Sequence, residues 1–208
     1  MERYTTLTGV AASLPQANID TDVIMPKQFL KGITREDLAR GLFYDLRFND
    51  GGQEREDFIL NRPGYRAARF LIVGPNFGCG SSREHAVWGL RQFGIRGIIG
   101  TSFASIFRDN CFKNGLLPIT LKTEELSLVE SACSNPQNNI LTVDLLAQAV
   151  SLLNGGRVPF TIHALRRDDL LNGRDAVAST LRFAAEIRAF EQCHWLTQPW
   201  LKPTSGVA

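Results

Sequence analysis

The 208-residue chain lacks three things that would each point to a ready answer: a long apolar run, paired cysteines and a lopsided charge. No stretch approaches the roughly 20 consecutive apolar residues of a membrane span. The opening MERYTTLTGV is polar and has no apolar centre of the signal-peptide kind, so a cytoplasmic protein with no membrane partner is expected. Four cysteines, Cys79, Cys111, Cys133 and Cys193, lie far apart with no C-x-x-C spacing. They make no credible zinc or iron–sulfur site, so no metal ligands are expected on this chain. Cys111 and Cys133 read as free thiols, buried or partly buried. With 23 basic and 21 acidic residues the formal net charge is only +2, which argues against a nucleic-acid binder.

What is present is enough for a core, since 44% of the residues are apolar. YTTLTGVAASL reads as a first strand. PQANIDTDVIMP is turn-rich, and Pro26 suits the start of a short helix. GITREDLARGLF reads as a helix with Thr34 as its cap and Gly41 near its end. Asp50-Gly51-Gly52 marks a turn. The centre alternates: strand RFLIVG, helix SREHAVWGLRQFG, strand IRGIIG, helix SFASIFRDNCFKNG, strand LLPITL. That order implies an α/β layered domain with parallel pairing. TEELSLVESAC follows as a helix capped by Thr123, then the local strands NILTVDLL and RVPFTIHAL, with NGGR turning between AVSLL and the second. A helical segment broken at Asn172-Gly173 closes the fold. One domain over residues 1–200 and a frayed tail over 201–208 are expected.

The stretch GPNFGCGSSREHAVWGL, residues 74–90, concentrates glycine and polar chemistry directly after a buried strand. Open α/β sheets place ligands at the carboxyl ends of their strands. Gly78 and Gly80 permit backbone conformations closed to other residues. Ser81 and Glu84 fit an S-x-x-E capping box, which predicts a helix from Ser81, its N–H groups free for an anion. Arg83 adds a planar fork matched to a carboxylate. Neither the phosphate loop G-x-x-x-x-G-K-[ST] nor the dinucleotide pattern G-x-G-x-x-G is met. The loop therefore suits a small acid better than a nucleotide. A capping box is equally often only a cap; His85 reads as an orienting residue and Glu84 as a cap and support. Cys79 near a helix start could be a nucleophile, but no His–Asn or His–Asp pattern accompanies it.

At these residues the sequence resembles a known family. NFGCGSSREHA resembles the signature loop of the small subunits of 3-isopropylmalate dehydratase, relatives of aconitase. NIDTDVIMPKQFLK is similar to the family's N-terminal segment, and GIRGIIGTSFASIFRDNCFKNGLLPI to the strand-helix-strand after the loop. The family motif continues with Pro after REHA, where this chain has Val87; a Val there is expected to keep the helix.

The resemblance implies a swivelling β/β/α domain of aconitase type, a mixed sheet flanked by helices. It also implies a large-subunit partner carrying the 4Fe-4S cluster, with no cofactor bound by this chain. The implied reaction interconverts 2-isopropylmalate and 3-isopropylmalate, by dehydration and rehydration of a small dicarboxylic hydroxy acid in leucine biosynthesis. Carried over residue by residue, Ser81 is the base, held as an alkoxide, and Arg83 binds a substrate carboxylate with Ser82 and Gly80 beside it. Cys79 lines the site. In the first segment Asp20 and Asp22 organise a turn. FLKGITRED is the substrate-selecting loop by analogy, where apolar Phe29 and Leu30 suit an isopropyl group and Lys27 adds positive charge. Two neighbouring readings stay open at this point. One is the small subunit of a related hydro-lyase acting on citraconate and methylmalate, dimethylmalate or homoaconitate. The other is a non-catalytic anion-binding module.

Overall fold

The computed structural model describes residues 1–30 and 38–202. The described chain divides into two compact units, Met1–Gly173 and Arg174–Ala208. The first holds a seven-stranded sheet in the order β4-β3-β2-β1-β5-β6-β7. Its strands are β1 (Thr6–Leu14), β2 (Ala68–Val73), β3 (Gly97–Gly100), β4 (Leu117–Thr120), β5 (Ile140–Asp144), β6 (Ala149–Leu152) and β7 (Arg157–Pro159). The expected mixed α/β architecture is borne out.

β1 is the seam of the sheet. It runs parallel to β2 on one side and antiparallel to β5 on the other. The parallel half continues through β3 and β4, the antiparallel half through β6 and β7. The β1–β2 register shifts between Val10 and Ala11, while on the other edge the Ala11 N–H donates to the Asn139 carbonyl at 2.7 Å, one residue beyond the Val10–Ile140 pair. Asn139 itself is buried, and its side-chain amide donates to the Gly64 carbonyl at 3.0 Å.

ARFLIV has no polar-out alternation because both faces of β2 are covered. Leu71 and Val73 join one apolar cluster and Phe70 and Ile72 the other, the two-residue period of a strand. The first cluster is capped by α1 (Thr21–Ile24), α2 (Leu38–Gly41), α4 (Glu84–Phe93) and most of α5 (Ser105–Lys113), with α3 (Tyr44–Arg47) between α2 and β2 in the chain. The second is capped by Val129 and Cys133 of α6 (Thr123–Cys133) and Leu170 of α7 (Ala164–Asn172). Each such fully buried aliphatic side chain contributes roughly 1.5–3 kcal/mol.

Gly94 and Gly115 end α4 and α5 as the sequence predicts, and the chain turns at Asn49–Gly52 before pairing Phe48 with Glu54. Two helix starts differ from expectation. α6 has Lys122 at its cap, because the Glu125 carboxylate accepts from the Lys122 N–H at 2.9 Å; Thr123 is already helical. α4 begins at Glu84, not Ser81. The helix expected over GITREDLARGLF is described only as α2; Thr34 lies outside the described residues. The second unit comprises α8 (Ala176–Leu181), capped by the Asp175 carboxylate, then α9 (Ala184–Thr197) and a 3-10 turn over Pro199–Leu201. The expected tail lies outside the described residues from 203 onward. No described helix is long and apolar enough to cross a membrane.

Candidate active site

Three connections leave the carboxyl ends of β1, β2 and β3, and they are laced together. The β2 loop, residues 74–83, lies in the middle. Gly74 donates to the Leu14 carbonyl at 3.1 Å and sits so close to the Pro15 and Gln16 carbonyls that a Cβ would stand 2.4 Å from each. Asn18 donates its N–H to the Pro75 carbonyl at 2.9 Å, and the Asn76 side-chain amide donates to Asn18 Oδ1 at 2.9 Å. Asp20 bridges to Cys79 in parallel fashion. Gly78 donates to the Ile19 carbonyl at 2.8 Å, and Thr21 donates to the Cys79 carbonyl at 2.9 Å. On the other flank the Asn76 N–H donates to Ser102 Oγ at 2.8 Å, and Ala104 donates to the Phe77 carbonyl at 3.0 Å.

The loop bends where its glycines are. Gly78 has φ +76° and would put a Cβ 2.2 Å from the Phe107 ring; Gly80 has φ +86°. Phe77, fully buried and edge-on to Phe107 at 5.5 Å between centroids, nails the loop into the core.

Ser81 and Ser82 emerge exposed from this clamp. The Ser81 carbonyl accepts the Thr21 hydroxyl at 2.8 Å, which holds its main chain while leaving the side chain outward. The expected capping box is absent. Residues 81–83 continue without helical structure, Arg83 being extended at φ −126°, ψ 103°. Glu84 does not reach back to Ser81, because its carboxylate accepts from Asn114 Nδ2 at 2.7 Å. Asn114 Oδ1 in turn accepts the Trp88 indole N–H at 3.0 Å, and the His85 ring packs on Trp88 at 4.6 Å. Glu84 and Trp88 thus anchor the start of α4 to Asn114 at the end of α5, with His85 packed on the Trp88 ring. Val87 is fully buried within an unbroken helix.

Arg83 forms an ion pair with Asp22 of α1, its side chain only 14% exposed. The sequence reading had Asp22 organising a turn. Asp20 does that, accepting from the Val23 N–H at 2.8 Å, whereas Asp22 carries the counter-charge of the arginine. A guanidinium offers five donors, so one carboxylate on Nη1 orients the fork without exhausting it. Cys79 is half-buried and its thiol donates to the Asn18 carbonyl at 3.4 Å.

The other expected residues follow α1 directly. Lys27 is exposed on a 3-10 turn over Lys27–Leu30. Phe29 and Leu30 are half-buried against the first apolar cluster, with Phe29 on Tyr44 at 4.9 Å and over Gly41. Gly89 lets α4 close on this segment, since a Cβ there would stand 2.2 Å from Met25 Cε. The remainder of the expected specificity loop, residues 31–37, lies outside the described residues. Thr21 and Ser102 carry no mark of their own in the sequence. For Thr21 the signal is its place in NIDTD, whose polar residues serve the loop; nothing in GTSFAS marks Ser102.

The donor set does not fit an iron–sulfur cluster. Cys111 and Cys133 are buried in the apolar clusters, and burial holds both thiols in their protonated form, Cys133 raised from 9.0 to about 11. Among the described residues no three His, Cys, Asp or Glu side chains gather as a metal site.

A mixed sheet with a clamped glycine-rich loop at the carboxyl ends of its parallel strands defines a domain of aconitase type, and the family model of the aconitase C-terminal domain matches residues 1–124. The chain is 52% identical to a 3-isopropylmalate dehydratase small subunit 1 of Mannheimia succiniciproducens, over 97% of this chain and 100% of that one. It is likewise 52% identical to the 3-isopropylmalate dehydratase small subunit of Phenylobacterium zucineum, over 97% and 99%. A crystal structure of 3-isopropylmalate dehydratase from Methanocaldococcus jannaschii superposes with a TM-score of 0.63, at 25% identity, covering 89% of this chain and 99% of that one. The chain therefore belongs to the family of 3-isopropylmalate dehydratase small subunits, within the aconitase superfamily.

Proposed function

We propose that this chain is the small subunit of a cytoplasmic isopropylmalate isomerase, a hydro-lyase of leucine biosynthesis that interconverts 2-isopropylmalate and 3-isopropylmalate with a large-subunit partner. The observation that carries the reading is the clamp: NFGCGSSREHA is hydrogen-bonded on both flanks, and the one hydroxyl pair it presents outward is Ser81–Ser82. Rigid placement is what proton transfer at carbon requires, since a base displaced by an ångström loses most of its effect.

In this reading Ser81 takes and returns the proton on the carbon next to a substrate carboxylate. Arg83, oriented by Asp22, holds that carboxylate with the donors Asp22 leaves open, and Ser82 and the main chain at Gly80 border it. Cys79 lines the loop behind them. Because α4 starts at Glu84, the guanidinium rather than a helix end at Ser81 provides the nearest positive charge. Phe29 and Leu30 offer an apolar wall for the isopropyl group and Lys27 a cation at its rim. The 4Fe-4S cluster belongs to the partner and supplies Lewis acidity toward the leaving hydroxyl.

The test is reconstitution. The purified chain alone is expected to be inactive; mixed with a cluster-bearing large subunit it should co-purify and turn over isopropylmalate. A panel of methylmalate, dimethylmalate and homoaconitate run alongside sets the side-chain preference. Preference for a non-isopropyl acid would overturn the substrate assignment, and activity without the partner would overturn the division of labour.

A further inference from the structure

The opposite end of the same parallel strands carries a second polar site. Arg69 is the second residue of β2, Arg96 immediately precedes β3, Gly115 lies just before β4, and Arg91 reaches in from the last turn of α4. With Glu2 and Tyr4 ahead of β1 they line a pocket of about 140 Å³. On that scale a water needs roughly 10–15 Å³, so the space admits a small ion with its waters and excludes a nucleotide.

The walls are cationic and incompletely paired. Arg91 Nη1 donates to the Gly115 carbonyl at 2.7 Å, and Arg96 Nη1 to the Arg91 and Ile95 carbonyls at 2.8 and 3.1 Å, which fixes both guanidiniums. Three donors then have no hydrogen-bond partner although each is buried: Arg69 Nε, Arg96 Nε and the hydroxyl of Tyr4, a residue only 6% exposed. Orphaned donors of this kind each carry a penalty of roughly 1–3 kcal/mol, more when charged, and are rare without a ligand or water to meet them. Arg3 adds a fourth cation at the rim. The counter-charge is Glu2, whose carboxylate stands off at 3.6 Å from Arg96 Nε and 3.9 Å from Arg91 Nη2, with its side chain 65% exposed. Burial, then the like charge of Arg96, lower the proton affinity of Arg91, against the opposing pull of Glu2. Burial keeps the Tyr4 phenol protonated, as a donor, against the pull of Arg69 and Arg96.

We propose that this pocket binds a small oxyanion, a carboxylate or phosphate group of a metabolite, on Arg69, Arg96 and the Tyr4 hydroxyl, with Glu2 as a built-in competitor that swings aside. Glu2 shows the chemistry the pocket accepts and covers it too loosely to satisfy it. The site is separate from the Ser81 loop, and its occupancy stabilises the fold by an amount that grows with the logarithm of anion concentration once that exceeds Kd.

Isothermal titration of the full chain with inorganic phosphate and, separately, succinate in low-chloride buffer tests this. One saturable site is expected for at least one probe; phosphate alone would assign phosphate esters, succinate alone free carboxylic acids. Glu2→Gln should tighten binding at least threefold and Arg69→Gln weaken it at least tenfold. Arg83→Ala, at the other end of the strands, should leave it unchanged. Arg96→Gln should behave as Arg69→Gln, but it also removes main-chain bonds, so the decision rests on the other variants. The proposal is overturned if neither wild type nor Glu2→Gln binds either probe. It is equally overturned if Arg69→Gln binds as wild type, or if Arg83→Ala is the variant that loses the heat.

Discussion

The two ends of the parallel half-sheet treat their polar groups in opposite ways. At the carboxyl ends the main chain does the holding: residues 74–81 are bonded to the β1 connection on one flank and the β3 connection on the other. At the amino ends long side chains face one another, three of their donors are unmet, and the one carboxylate present is loose. A main chain fixed at both flanks keeps a hydroxyl in one place, which suits chemistry. Guanidiniums whose counter-ion stands off suit an exchangeable ion.

The largest effect should come from the clamped end. Ser81→Ala, in the reconstituted enzyme, should lower turnover at least ~100-fold with partner association retained, the scale of a lost acid–base group; wild-type turnover would reduce the clamp to a structural turn. Next, Arg83→Lys keeps the charge but loses the fork, so kcat/KM should fall about tenfold with little change in the urea midpoint. Gly78→Ala strains a left-handed residue and drives a methyl into Phe107, and should destabilise the fold by about 3 kcal/mol in urea unfolding. A loss below half that would show the loop to be softer than its bonds suggest.

The smallest effect lies in the core between the two ends. The folded Cys133 thiol titrates at about 11, above the ordinary 9.0, so the folded state keeps a proton that the unfolded chain gives up. Stability should be full below pH 9 and fall as the pH rises from 9 toward 11. Cys133→Ala should reduce that slope, the buried Cys111 thiol supplying the part that remains, read from urea midpoints across the range.

Much of this was legible in the sequence because it is local. The β-α-β-α-β order follows from apolar runs punctuated at Gly94 and Gly115, and the glycine-rich stretch could only follow β2. What escaped was non-local competition. Ser81-x-x-Glu84 is a sound cap until Asn114, thirty residues on, offers Glu84 a better partner. Asp22 lies in a turn-rich segment, and nothing at its own position announces an arginine brought to it from the next connection. Arg69, Arg91, Arg96 and Tyr4 share no spacing at all. Only strand register gathers them, through bonds such as Arg96 N–H to the Arg69 carbonyl at 2.8 Å.

The position of β1 as the seam has a consequence for how the molecule is made. The strand is synthesised before either partner: its parallel partner is complete only at Val73 and its antiparallel partner only at Asp144. Until then both its edges offer unpaired amides to any passing chain. Assembly of the sheet around such late-arriving neighbours is slow, governed by loop closure rather than by local propensity.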